Sequence, residues 1–151
     1  MQTMSDPNWA LPHPDTHPEF YSDTVTKRFI AWIIDVAIIG VVTLIVATVS
    51  VIGWFFVPFL FATISFMYRW WSLAARSATP GMRLASVELR MRDGQRFDTL
   101  TALLHTIGYF VSVAFAPLQL ISIVLMLMSA RGQGLTDHVL GTAAINKSAA
   151  N

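Results

Sequence analysis

Two long stretches of the chain carry no charge. There is none from Val36 to Tyr68 and none from Thr99 to Ala130. The apolar residues run on continuously instead of forming the one-sided stripe of a soluble amphipathic helix. At 1.5 Å per residue, the 24 residues Phe29–Ile52 are long enough to cross a hydrocarbon core of roughly 30 Å. The pattern predicts a first helix over about Val25–Thr48, a turn at Ser50–Gly53 and a second helix over about Trp54–Trp71. Pro58 falls in the first turn of that second helix, where a missing N–H does little harm. The third stretch, Thr99–Ala130, has 32 residues, too many for one ordinary span and too few for two full ones. Pro117 sits near its centre, and arginines flank both ends. A helical hairpin broken near Pro117 is the preferred reading, with both ends on one side. The rival is a single tilted, kinked helix that leaves the C-terminus outside.

The polar segments between these runs are short. Arg69, Arg76, Arg83, Arg90, Arg92 and Arg96 follow the second helix, against Glu88 and Asp93. Loops rich in arginine stay cytoplasmic, so the first two helices form a hairpin open toward the cytoplasm. Val87, Leu89 and Met91 alternate with Glu88 and Arg90, which is the period of a strand. Asp93-Gly94 is a hairpin-turn signal, and Arg96-Phe97 begins a return strand in this reading. Ser77–Gly81 is a tight turn that takes the chain off the membrane. Thr136-Asp137 reads as a turn or cap, and Gly141–Ile145 as a short strand able to join the cytoplasmic hairpin.

Composition agrees with a membrane protein: 54% of residues are hydrophobic and only 13% charged, against about 25% charged in soluble domains. The expected fold is an all-α polytopic membrane protein. It has a transmembrane helical hairpin, a third, Pro-broken apolar helical region and a small cytoplasmic β-hairpin. Residues 1–24 form an acidic tail without a base, and Pro7, Pro12, Pro14 and Pro18 predict that it is flexible or extended. It lacks the basic start and apolar core of a cleavable signal, so the first helix is expected to act as an uncleaved insertion signal. There are no cysteines, which excludes disulfides and thiolate metal sites.

One acid stands in the wrong solvent. Asp35 lies within the first apolar run, where a carboxylate costs about 2.5–3.5 kcal/mol on insertion scales and therefore needs a partner or a task. Arg28 is on the same helix face but about 10.5 Å away along the axis, too far for contact in a straight helix. Asp35 is expected to pair with Arg69 or with backbone and hydroxyl groups of the second helix, and Arg28 with Asp137 near the cytoplasmic surface. In the alternative, Asp35 is a proton or cation site and His105 a proton relay to it. His13, Asp15 and His17 are close in sequence, but the prolines around them set no common face and a fourth ligand is missing, so no metal site is expected. No cofactor motif and no catalytic constellation is visible, and the arginine loop lacks the interleaved aromatics of a nucleic-acid surface.

Three segments resemble the RDD family of small bacterial membrane proteins, named for one arginine and two aspartates. Lys27-Arg28-Phe-Ile-Ala-Trp-Ile-Ile-Asp35 is similar to its opening. Ser77-Ala-Thr-Pro-Gly-Met-Arg83-Leu, with Val87–Arg90 and Asp93-Gly94, is similar to its central turn and strand. Arg131-Gly-Gln-Gly-Leu-Thr-Asp137-His-Val-Leu-Gly141-Thr is similar to its C-terminal motif. The resemblance makes Arg28, Asp35 and Asp137 the family's polar set and residues 25–147 an RDD-like membrane domain. This chain has Met82 where many members carry a lysine, and His105 where many carry an arginine. The resemblance implies a prokaryotic plasma membrane. It also implies a role for which ligand transport, and in some members sodium–proton exchange, has been suggested.

The function expected is that of a non-enzymatic structural or accessory membrane component, held by Arg28, Asp35 and Asp137 with Arg69 and His105 in support. A small oligomeric cation or proton transporter using Asp35 is the alternative. Expected partners are the bilayer, anionic headgroups at the arginine-rich loop, and a second copy or a membrane partner protein.

Overall fold

The computed structural model describes residues 8–150. Its helices are α1 (Thr24–Ser50), α2 (Val57–Arg76), α3 (Pro80–Leu84), α4 (Thr99–Ala114), α5 (Ala116–Met128) and α6 (Leu135–Leu140). Its strands are β1 (Val87–Met91) and β2 (Thr142–Asn146). A 3-10 turn over Ile52–Phe56 joins α1 to α2. The second helix runs past the expected Trp71 to Arg76, where Ser77 in a left-handed conformation stops it and donates its N–H to the Leu73 carbonyl.

The helices bury their polar and small residues and display their apolar ones. On α1 the buried positions are Thr24 at its start and then Ala31, Asp35, Ile39, Thr43 and Ala47, spaced four apart along one stripe. Val41, Leu44, Ile45 and Val49 face outward. The same inversion recurs on α4, which buries Ala102, His105, Thr106 and Ser112, and on α5, whose buried residue is Ser122. Small and hydroxyl side chains let helices approach closely when the surrounding medium is itself apolar. The segments Pro18–Ser50 and Ile52–Arg76 are long and apolar enough to cross a membrane, and the bent pair α4–α5 makes a third if it is one span.

That bent pair answers the question left by Pro117. Helix α4 ends at Ala114, Phe115 is extended, and α5 leaves at 116° to α4 with Pro117 in its first turn. A proline there has no N–H to give and its ring would clash with the preceding turn of a continuous helix. The turn carries the chain back, so that Gly132 lies against Thr24 and Val25 at the start of α1. Both ends of the third region are therefore at the same end of the molecule, as the broken-hairpin reading requires.

The two strands pair, as the reading of Gly141–Ile145 as a strand able to join the cytoplasmic one expects, but the local hairpin is absent. β1 pairs antiparallel with β2, in the register Val87↔Asn146, Leu89↔Ala144 and Met91↔Thr142. The expected return strand at Arg96-Phe97 does not form. Ser77 occupies that edge: its carbonyl accepts from the Leu89 N–H at 2.8 Å and its hydroxyl from the Phe97 N–H at 2.5 Å. Phe97 is thereby drawn into a core with Ala31, Leu73, Met82, Val87, Leu89 and Ala144.

The other side of the sheet is covered by the N-terminal segment: residues 8–22, read from the sequence as flexible or extended, lie along it. Leu11 and Tyr21 pack on Ala143 and Ile145. The Ala10 N–H donates to the Arg92 carbonyl at 2.9 Å, and the Tyr21 hydroxyl donates to the Pro12 carbonyl at 2.7 Å. Asn146 donates to the carbonyls of Glu19 and Ser22 and accepts from Lys27. Pro7 and the acid Asp6 lie outside the described residues.

Candidate functional site: two buried carboxylates

Asp35 and Asp137 are each 1% exposed. Asp35 faces the end of α2 and the turn that follows it. Its Oδ1 accepts from the Tyr68 hydroxyl at 2.7 Å and the Gly81 N–H at 2.8 Å, and its Oδ2 accepts from the Thr79 hydroxyl at 2.5 Å. Thr79 also caps α3 by accepting from the Met82 N–H. The approach needs a glycine at 81. A Cβ there would overlap the Ala31 carbonyl and sit 2.7 Å from Asp35 Oδ1. Of the two partners expected for Asp35, the structure selects the second-helix hydroxyl and not Arg69.

Asp137 lies at the third position of α6 and collects donors from four places. Its Oδ2 accepts from Arg28 Nη1 at 2.6 Å and from the Gly134 N–H at 3.1 Å. Its Oδ1 accepts from His105 Nε2 at 3.0 Å and from the Thr142 hydroxyl at 2.7 Å. Arg28 also donates to the Gly132 carbonyl. Burial pushes the Asp137 carboxyl up, but the Arg28 charge, His105 and the Thr142 hydroxyl outweigh it. The group is held well below the usual carboxylate range. Opposite an ionised carboxylate, His105 Nε2 must carry the proton and donate.

The expected pairing of Arg28 with Asp137 is therefore present. His105 belongs to Asp137 and not to Asp35, so the proposed relay between His105 and Asp35 has no direct geometry. Arg69 is buried, with its guanidinium carbon 3.7 Å from the centre of the Tyr109 ring. The Tyr109 hydroxyl accepts from Trp32 Nε1 at 2.9 Å. Arg69 Nε has no hydrogen-bond partner among the described residues. Near the N-terminus, His13 approaches Asp15 and His17 approaches Glu19, as two separate pairs.

Tyr68, Thr79, Gly81 and Thr142 were not singled out from the sequence as site residues. The signal was there in the Thr79-Pro-Gly81 turn: a hydroxyl, a helix start and a missing side chain two residues apart, all able to serve an acid on a neighbouring helix.

Together the two sites are staples of hydrogen bonds that join α3, α6 and β2 to α1, α2 and α4, in a protein whose helices turn apolar faces outward. The RDD family profile matches residues 23–141, and the chain belongs to the RDD family. The family and the apolar helices point to a membrane protein. No curated protein and no solved structure matches the chain.

Proposed function

We propose that the chain is a multi-pass protein of the prokaryotic plasma membrane, with a cytoplasmic N-terminus and a structural or accessory, non-enzymatic role. The observation that carries this reading is the saturation of both carboxylates. Asp35 and Asp137 are closed off from solvent, and every carboxylate oxygen accepts from at least one donor of the protein itself. A group that loads and releases a proton or cation needs an open coordination position and a path. These carboxylates instead tie separate elements together. The orientation is supported by charge. Nine of the ten Lys and Arg residues lie at the end that carries the sheet, and only Arg69 lies deeper. The positive-inside rule places that end in the cytoplasm. Anionic headgroups, and a second copy or a membrane partner protein, are the partners such a component would meet.

The test is reconstitution in liposomes holding a pH dye, with wild type and Asp35→Asn compared under sodium, potassium and pH gradients. The expected result is no flux in either, with the variant modestly less stable. Flux in wild type that vanishes in a folded variant would overturn the reading in favour of an ion-coupled transporter.

A further inference from the structure

Where α2 ends, α3 and the open end of the sheet enclose a cavity of about 220 Å³. Arg76, Arg83, Arg96 and Lys147 line it together with Ala78, Val87 and Glu88. Glu88 is the one carboxylate in the lining. It is 3% exposed, and its Oε1 is already taken by Arg90, while Arg96 stands 3.9 Å from Oε2. Arg76, Arg83 and Lys147 make no ion pair among the described residues. Four cations thus stand around one small concavity whose single acid is shared by Arg90 and Arg96, which leaves Arg76, Arg83 and Lys147 without a counter-charge among the described residues. Such an arrangement repels itself unless an anion enters.

The depth of the cavity says what kind of anion. Arg76 is the last residue of Ile52–Arg76, a segment long and apolar enough to cross a membrane, so the cavity opens at the level of the headgroups. Trp70 and Trp71, five to six residues back on α2, are the aromatic residues of a membrane interface. Leu84, beside Arg83 on α3, is 71% exposed and offers an acyl chain an apolar surface next to the cations. Arginine and lysine pair well with phosphate oxygens, the arginines through two parallel N–H bonds. We propose that this cavity is a binding site for the phosphate of an acidic phospholipid headgroup, held by Arg76, Arg83, Arg96 and Lys147. The inference rests on the membrane placement proposed above.

The test uses the full chain purified in detergent and reconstituted into phosphatidylcholine nanodiscs with graded phosphatidylglycerol. Phosphatidylglycerol retained on the protein is read by native mass spectrometry. Arg76→Gln, Arg83→Gln and Lys147→Gln should each lower retention about fivefold, whereas Arg92→Gln, outside the cavity, should not. Arg83→Lys, which keeps the charge, should retain most of the lipid and shows that the fold is intact. Equal retention in all four glutamine variants would overturn the site and leave only diffuse attraction. Displacement of the lipid by millimolar inorganic phosphate would overturn the lipid assignment in favour of a soluble phosphate. Labelling of Ser148→Cys, an exposed position beside the cavity but outside its lining, from outside intact cells would sink the membrane placement and leave the nanodisc retention of the wild-type chain untouched, so the two failures can be told apart.

Discussion

Asp35 is held by two hydroxyls and one backbone N–H, whereas Asp137 is held by an arginine and a histidine as well as a hydroxyl and a backbone N–H. The two acids are equally buried, so burial alone does not set what each contributes. The difference lies in what is left behind when the charge is removed. Without Asp137, Arg28 becomes a mostly buried cation facing no anion. Without the Asp35 charge, its three partners are neutral groups whose hydrogen bonds an amide can partly replace. The C-terminal staple is an ion pair and the central one is a polar knot.

Asp137→Asn is expected to give the largest loss. Breaking a buried ion pair by removing one partner costs about 3–5 kcal/mol, because the other charge stays buried. Unfolding in detergent, followed by tryptophan fluorescence, would measure it. The double variant Arg28→Met/Asp137→Asn should regain part of the loss, since no unpaired charge remains. Equal stability of the single and double variants would break the distinction between ion pair and polar knot.

Acid should reveal the same asymmetry without mutation. The Asp137 carboxyl is depressed in the folded protein, so its contribution is fully present above the unfolded value of about 3.9. It is lost as the pH falls through the folded value, which lies lower still. A wild-type unfolding curve that weakens below about pH 4, against a flatter curve for Asp137→Asn, is the expected pair of results. Parallel curves would mean that another carboxylate controls acid stability.

Gly81→Ala attacks the central knot from the other side. The new methyl would overlap the Ala31 carbonyl and press on Asp35, so α3 must move off α1. Forced overpacking of this kind costs about 1–3 kcal/mol. A cysteine pair across α1 and α3 that cross-links less efficiently in the variant would locate the shift. Unchanged stability and cross-linking would show that Asp35 does not depend on that close approach.

Much of this was readable from the chain. Charge-free runs found α1 and α2, because a bilayer demands length and apolarity and little else. Pro117 located the break between α4 and α5 for the same local reason that proline breaks any helix. The pairing of Arg28 with Asp137 followed from their places near the polar ends of the apolar runs. The sheet was half legible: Gly141–Ile145 read as a strand able to join β1, but adjacency also favoured a return strand at Arg96-Phe97, which does not form. What decided it was Ser77, whose carbonyl and hydroxyl fill that edge from 12 and 20 residues away. The docking of residues 8–22 was hidden by their prolines, which deny the segment a long helix but let turns and a short 3-10 helix at Pro18–Phe20 lie along a sheet. The partners of Asp35 depended on the close approach of α3 to α1, a tertiary fact carried by the absence of a side chain at Gly81.

The smallest effect is expected at Asp35, and it sharpens the comparison most. In Asp35→Asn the amide oxygen can still accept from Tyr68 and Gly81, and the amide nitrogen can donate to the Thr79 hydroxyl. Thr79 must then turn its own proton elsewhere. The net change is one strengthened, charge-assisted bond exchanged for a neutral one, about 1 kcal/mol. Asp35→Ala, which strands the Tyr68 and Thr79 hydroxyls and the Gly81 N–H, should cost several times more. If Asn were as damaging as Ala, the negative charge itself would be holding the centre of the protein. The nearby cation Arg69, stacked on Tyr109, would then be its remote counter-charge. The two staples would be one electrostatic system. If Asn is nearly silent, the charge at Asp35 is dispensable to the fold, and any strict need for it in cells would have to come from function.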